Sequence, residues 1–133
     1  MKKPIPVPTE ISAPYWEALK AHKIKVQKCD DCGAWIFYPR GHCPSCPSDK
    51  LSWQTVSGSG TLYSFSISRV PTAPEFADNM PQKLAVVELS EGVRINSTLI
   101  DVAEEDIKIG MALSPVFEDQ DEDDITLLHY STA

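Results

Sequence analysis

The sequence predicts a mainly β chain: a short helix and a cysteine segment stapled by metal, followed by a small barrel. Three observations carry this. All four cysteines lie between Cys29 and Cys46, in two C-x-x-C pairs separated by ten residues. From residue 51 onward, apolar residues tend to alternate with polar ones, and turn residues recur between the alternating runs. Before the cysteines, one stretch spaces its apolar residues as a helix would.

The chain has 133 residues, 42% hydrophobic and 23% charged. That suits one ordinary domain or two very small ones, and it is not the composition of a disordered chain. No apolar run approaches the roughly 18 residues of a membrane span. The start, "MKKPIPVPTE", lacks the apolar core of a secretory signal. These features point to the cytoplasm. Thiols stay reduced there, and paired cysteines bind metal more often than they form disulfides.

Net charge is −7, unevenly spread. Residues 1–50 hold eight Lys/Arg against five acids, a balance of +3. Residues 51–133 hold four against fourteen, a balance of −10. The second half repels a phosphate backbone, so nucleic acid is a disfavoured partner.

Residues 1–11 read as a Pro-rich extended arm. Residues 12–50 hold the helix and the cysteine segment. Ser12 is placed to cap the helix, with Pro14 in its first turn. "APYWEALKAH" puts Trp16 and Leu19 near one face, with Tyr15 at its edge. A helix of about three turns is marginal alone, so this face must dock, by expectation on its own domain and otherwise on a partner. "KIKVQKC" reads as a strand feeding the first cysteine pair. "AWIFYP" follows it, with Trp35 and Phe37 on one face.

Residues 51–133 read as the barrel. "LSWQTVS" is a strand, "GSG" a break, and "TLYSFSISRV" a second strand. "PTAPEFADNMPQ" is a long loop over 71–82. "KLAVVELS" and "VRINSTLIDV" form a hairpin. "AEEDIKIG" is a short helical turn that stops at Gly110. "ALSPVFE" and "ITLLHY" close the set, split by the acidic "DQDEDD".

A C-x-x-C turn lets two thiolates face one point, and two such turns supply a tetrahedron of sulfur. Cys29, Cys32, Cys43 and Cys46 therefore read as ligands of a structural zinc. Four thiolates fill the shell and leave no open position for catalysis. A unit of about 50 residues also has too little core to hold itself without a staple. A thioredoxin-like pair would need one C-x-x-C beside a βαβ pattern, which is absent. Gly33 suits the positive φ that follows such a turn, whereas Pro47 opposes it. His42, beside Cys43, reads as a solvent-facing loop residue. His22, His42 and His129 fall in no catalytic signature. "EEDIK" and "EDQDEDD" read as solvated turns, since the second lacks the glycine and final glutamate of a calcium loop. Arg40 and Arg69 sit beside aromatic or apolar residues, where a guanidinium can bind phosphate or simply pack its stem.

The order of segments adds a resemblance. The Phe-x-Pro-Arg-x-x-Cys-Pro-x-Cys block from Phe37 to Cys46, the Gly-x-Gly-Thr block at 58–61 and the Glu-Asp-Ile-Lys-Ile-Gly-Met block at 105–111 are distinctive together. The chain resembles, over roughly residues 12–118, an acyl-CoA-associated family that joins a rubredoxin-like zinc ribbon to an OB-fold. That resemblance implies a five-stranded OB-fold barrel after the ribbon. It implies a non-catalytic accessory subunit that binds a thiolase-fold or hydratase enzyme, stabilises it and shapes its substrate channel. The chemistry implied is retro-aldol or thiolase chemistry of steroid or fatty acyl-CoA, with no catalytic residue in this chain itself. Partner or ligand contacts would come from Lys28, Trp35, Phe37 and Arg40 of the ribbon, from Tyr63, Phe65 and Arg69 of the barrel, and from the 71–82 loop. Lys25, Lys28 and Arg40 would supply positive charge for the phosphates of CoA. Two features depart from the family: Pro47 stands where glycine is common, and "ITLLHYSTA" lacks a Phe-x-Pro ending. The alternative reading is a single-stranded nucleic-acid module, since ribbons and OB-folds bind such strands through aromatics in basic grooves.

Overall fold

The computed structural model describes residues 6–71, 74–120 and 125–133; the side chains of Phe76, Asp78 and Asn79 are also outside the description. The first half of the expected arm and most of the acidic "DQDEDD" run thus lie outside the described residues.

One helix, α1 (Ala13–Lys20), precedes eight strands: β1 (Ile24–Cys29), β2 (Trp35–Ile36), β3 (Leu51–Val56), β4 (Gly60–Ser68), β5 (Gln82–Leu89), β6 (Arg94–Thr98), β7 (Ala112–Gln120) and β8 (Ile125–Thr132). Short 3-10 turns cover Pro74–Asn79 and Glu104–Asp106. Pro14 lies in the first turn of α1, as expected, but Ser12 does not cap it through its side chain. Its Oγ instead accepts from the Thr9 N–H at 2.9 Å, while the Ser12 N–H donates to Thr9 Oγ1 at 3.1 Å. The hydroxyls thus tighten the turn that leads into the helix.

The strands form two sheets. The small one has the order β2-β1-β3, and the large one β6-β5-β4-β7-β8. β3 pairs with β1 from Ile24↔Val56 to Cys29↔Leu51. The strand expected to open the barrel therefore completes the ribbon sheet instead. Its alternation is the same in either sheet, so sequence pattern alone does not assign its partner. The chain crosses between sheets at Gly58–Gly60. A Cβ on Gly60 would lie 2.5 Å from the Glu88 carbonyl oxygen, so β4 and β5 approach as closely as they do because no side chain intervenes.

The large sheet rolls without closing by a continuous ladder. Its edge strands β6 and β8 meet at one parallel bridge, Leu99↔Tyr130. The Ile100 N–H donates to the Tyr130 carbonyl at 2.9 Å, and Ser97 Oγ donates to the Leu128 carbonyl at 3.0 Å. A side-chain clasp crosses the same seam. His129 on β8 contacts Thr98 Oγ1 on β6 through Nδ1 at 2.5 Å and Glu118 on β7 through Nε2 at 2.6 Å. A partly open five-stranded barrel of this kind is the OB-type arrangement.

The two sheets share one core. Leu19 of α1, Ile24 and Val26 of β1 and Val56 of β3 pack with Leu62, Val87, Ile95, Leu113 and Tyr130 of the barrel. Tyr15 and Trp16 pack against this cluster, half-buried. The helix thus docks its aromatic face on its own chain, as expected. Burying such a face contributes more than helix propensity does in a segment of eight residues.

A polar latch reinforces the docking. His22, just past α1, stacks on Phe117 of β7 with ring centres 4.9 Å apart, and its Nε2 lies 3.1 Å from Asp119 Oδ2. The Thr126 hydroxyl donates to Asp119 Oδ1 at 2.6 Å. Thr126 first and His22 second hold the Asp119 carboxyl below its ordinary value. A carboxyl depressed in the fold stabilises it above the unfolded pKa of about 3.9. That contribution is lost as pH falls through the lower folded value. Thr126→Val is expected to raise the Asp119 titration toward the ordinary value in carbon-13 NMR. A midpoint left where it was would contradict this account of the latch.

Candidate zinc centre and interaction face

The first cysteine turn grows out of β1. The Gly33 N–H donates to the Cys29 carbonyl at 2.9 Å, and the Cys29 N–H to the Ala34 carbonyl at 2.9 Å. Gly33 adopts φ +75°, the left-handed value that closes the turn. The second turn lies in a loop held to the first by polar contacts. The Cys43 N–H donates to the Ser48 carbonyl at 2.8 Å, Ser48 Oγ donates to Asp31, and Ser52 Oγ donates to Asp30 Oδ1 at 2.9 Å.

These contacts bring all four sulfurs together. Cys29, Cys32, Cys43 and Cys46 have their Sγ atoms within 4.8 Å of one another. Cys29 and Cys46 are 3.4 Å apart, and Cys32 and Cys43 3.6 Å. A zinc tetrahedron with Zn–S of about 2.3 Å has edges of about 3.8 Å, so the donor set fits this metal. Cys29 and Cys43 are buried with Ile36, whereas Cys32 is exposed. His42 faces solvent, as expected.

Without metal, the thiols of Cys43 and Cys46 are driven in opposite directions by their neighbours. The backbone N–H of Cys46, helped by that of Ser45, outweighs burial and holds Cys43 down at about 7. At Cys46 the Ser48 N–H pulls downward, but the neighbouring thiols of Cys29 and Cys32 and burial win, and the group is pushed up to about 12. Metal binding displaces protons from the thiols, so affinity rises with pH. Cys29, Cys32, Cys43 and Cys46 would hold the metal, which would cross-link the two loops.

Pro47 behaves otherwise than expected. The sequence places a ring that opposes positive φ after the second pair, yet Pro47 lies at φ +24°. The second turn therefore closes in the same sense as the first, against the ring's preference near −65°. The ring resists that value, so the second turn is strained at this position. Pro47→Gly is expected to raise zinc affinity in chelator competition. A weaker or unchanged affinity would show that the turn carries no such strain.

The other predicted contact residues divide by environment. Lys28 lies over the Trp35 ring at 5.1 Å, the two being cross-strand neighbours on β1 and β2. Phe37 packs toward Tyr15 at 6.0 Å, beside the α1 docking face. Arg40 is exposed, and its backbone is clamped by the buried Gln27 amide at 2.7 and 2.9 Å. Arg69 forms a two-pronged pair with Glu104 at 2.8 and 3.3 Å. That pairing uses the forked face a phosphate would need. Tyr63 and Phe65 are exposed on β4.

Three residues outside the predicted set complete this face. Arg94 lies over the Tyr63 ring at 3.8 Å and pairs with Glu88 at 3.0 Å. Asn96 donates to the Tyr38 hydroxyl at 2.6 Å, joining ribbon to barrel. Arg94 and Asn96 are isolated polar residues in the sequence, and only the fold brings each to its partner. A shallow groove of about 290 Å³ runs beside them, lined by Ser64, Phe65, Ser66, Leu84, Val86 and Asn96 among others.

Four converging thiolates on a three-stranded sheet, packed on a five-stranded OB-type sheet, define a zinc-ribbon/OB-fold protein. Residues 16–52 match the family described as the ChsH2 rubredoxin-like zinc ribbon domain, and residues 53–118 the ChsH2 C-terminal OB-fold domain. The chain belongs to this ChsH2 family and is similar to proteins described as DUF35 domain-containing scaffold proteins. One from Methanothermobacter thermautotrophicus is 40% identical over 91 residues, 68% of this chain and 68% of the relative. One from Pyrococcus furiosus is 32% identical over 92% of this chain and 91% of the relative. A probable enoyl-CoA hydratase alpha subunit from Thermomonospora curvata is 36% identical over 82% of this chain, which spans 34% of that relative's length. Among solved structures, a chain of the Ltp2-ChsH2(DUF35) aldolase is 29% identical with a TM-score of 0.81, covering 96% of this chain and 98% of that one. The zinc ribbon and the OB-fold expected from the sequence are thereby established, and the four close cysteines are consistent with a structural zinc. Among the described residues, no helix is long and apolar enough to cross a membrane.

Proposed function

We propose that this chain is a non-catalytic accessory subunit of a cytoplasmic acyl-CoA enzyme, a thiolase-fold protein or a hydratase. It stabilises that enzyme and shapes its substrate channel, in retro-aldol or thiolase chemistry of steroid or fatty acyl thioesters. The likeness across 96% of the chain to the Ltp2-ChsH2(DUF35) aldolase carries this reading. The ribbon's Lys25, Lys28 and Arg40 would meet the phosphates of CoA, because the barrel half is acidic. The 71–82 loop and the ribbon would contact the partner.

Single-strand binding is the weaker reading. Arg94 already covers Tyr63 and is balanced by Glu88, so this aromatic does not sit in a basic groove. A salt-sensitive gel shift with oligothymidylate would favour it.

Affinity purification of the tagged chain from its native cells tests the proposal. The expected result is stoichiometric recovery of a thiolase-fold or hydratase subunit with acyl-CoA activity. Recovery of neither class would overturn the proposal.

A further inference from the structure

The Glu105–Met111 block stands out in the sequence, and neither the metal centre nor the core explains its exposed isoleucine. Its role lies at the edge of β4. β4 pairs with β5 from Gly60 to Ser68, but with β7 only at Gly60 and Thr61. The Leu62 N–H donates to the Met111 carbonyl at 3.0 Å, and the Gly110 N–H to the Leu62 carbonyl at 2.8 Å. There the pairing stops. Among the described residues, no strand lies along the outer edge of Tyr63–Ser68.

This edge is open in an unusual way. "YSFSIS" has a bulge at its start but no charge and no proline, the common guards of an exposed edge. Apolar groups lie beside it. Ile109, next to Gly110, is 62% exposed and Phe65 37%, while Tyr63, 48% exposed, has one ring face covered by Arg94. At the far end, the Arg69–Glu104 pair brings the 3-10 turn alongside, with Glu105 and Asp106 exposed there and Lys108 exposed nearer Ile109.

We propose that the outer edge of Tyr63–Ser68 receives an extended segment of the partner subunit as an added β-strand. The segment is apolar at alternate positions and carries Lys or Arg at the end that meets Glu105 and Asp106. The inference rests on the accessory-subunit reading for the existence of a partner. An edge of alternating N–H and C=O groups is complemented by a polypeptide backbone, and the apolar groups beside it by its side chains. Glu105 and Asp106, left over once Glu104 is paired with Arg69, favour a basic residue at that end of the segment.

The probe is a synthetic peptide, Lys-Thr-Val-Thr-Val-Thr-Val-Lys, added to the zinc-loaded full chain and followed by amide NMR and hydrogen exchange. Expected are shifts confined to residues 63–68 and 108–110, with outward amides of 63–68 exchanging at least about tenfold more slowly. N-methylation of alternate backbone nitrogens in the peptide should abolish the effect, and glutamates in place of its lysines should weaken it. Ile109→Asp should weaken binding roughly tenfold, about 1.4 kcal/mol, while zinc content stays unchanged. The proposal is overturned if the edge amides stay unperturbed, if the N-methylated peptide acts equally, or if oligothymidylate protects the same amides. It is also overturned if the peptide-free chain dimerises with these amides already protected. The two readings fail separately. Peptide addition at the edge without recovery of an acyl-CoA enzyme sinks only the accessory role; recovery of that enzyme with a silent edge sinks only this site.

Discussion

Cys29→Ser is expected to cut bound zinc from one equivalent to less than about half per chain after gentle purification. Loss of a structural metal is among the few single changes worth more than about 4 kcal/mol. Cys29 is 1% exposed and sits where β1 meets β3, paired with Leu51. Its loss therefore removes a ligand and places a hydroxyl in an apolar cluster with Ile36 and Cys43. The ribbon amides from Asp30 to Ser48 should lose protection first, because polar contacts and metal hold them more than core burial does. The barrel should remain folded at lower temperature, since α1 and β1 still pack on it. Hydrogen exchange read residue by residue checks the order. Uniform loss of protection across both sheets would show instead that the metal holds the whole chain.

Tyr130→Ala should destabilise the fold by about 3–5 kcal/mol, the cost of removing a buried aromatic. Tyr130 is fully buried, and its hydroxyl donates to the Gly58 carbonyl at 2.6 Å. It also forms the β8 side of the bridge to Leu99. The one residue therefore joins the open seam to the link between the two sheets. Burial and the nearby Tyr15 push its hydroxyl well above the ordinary tyrosine value, so it stays a donor through neutral pH. Tyr130→Phe keeps the ring but orphans the Gly58 carbonyl, and should cost about 1–2 kcal/mol. Urea melts of both variants check this. Equal losses would place the whole effect in the hydroxyl, and no loss in either would remove Tyr130 from the core account.

The metal centre was legible because spacing alone dictates it. Two C-x-x-C turns in a short reduced segment have few other uses, and the sulfurs converge as expected. Helix α1 was legible in its apolar spacing, as was the β5–β6 hairpin in its alternation around a Gly turn. Strand partners were not. β3 alternates equally well for either sheet, and its pairing with β1 follows from the return of the chain after the second cysteine turn. Ser12 occupies the position of a helix cap, yet Thr9 competes for its hydroxyl three residues away. The clasp of Thr98, His129 and Glu118 and the pair of Arg94 with Tyr63 depend on register, which a one-residue slip would reverse. Pro47 shows the opposite limit: its ring disfavours the positive φ at which it lies in the second turn.

The proposed accessory role requires that the chain act through a partner and perform no acyl-CoA chemistry alone. Turnover of an acyl-CoA substrate by the zinc-loaded chain, by the co-purifying enzyme subunit and by the reconstituted pair tests it most directly. The account predicts no turnover by the chain, and turnover or lifetime of the enzyme subunit raised by adding it. Turnover by the chain alone, or an enzyme subunit indifferent to its presence, would contradict it.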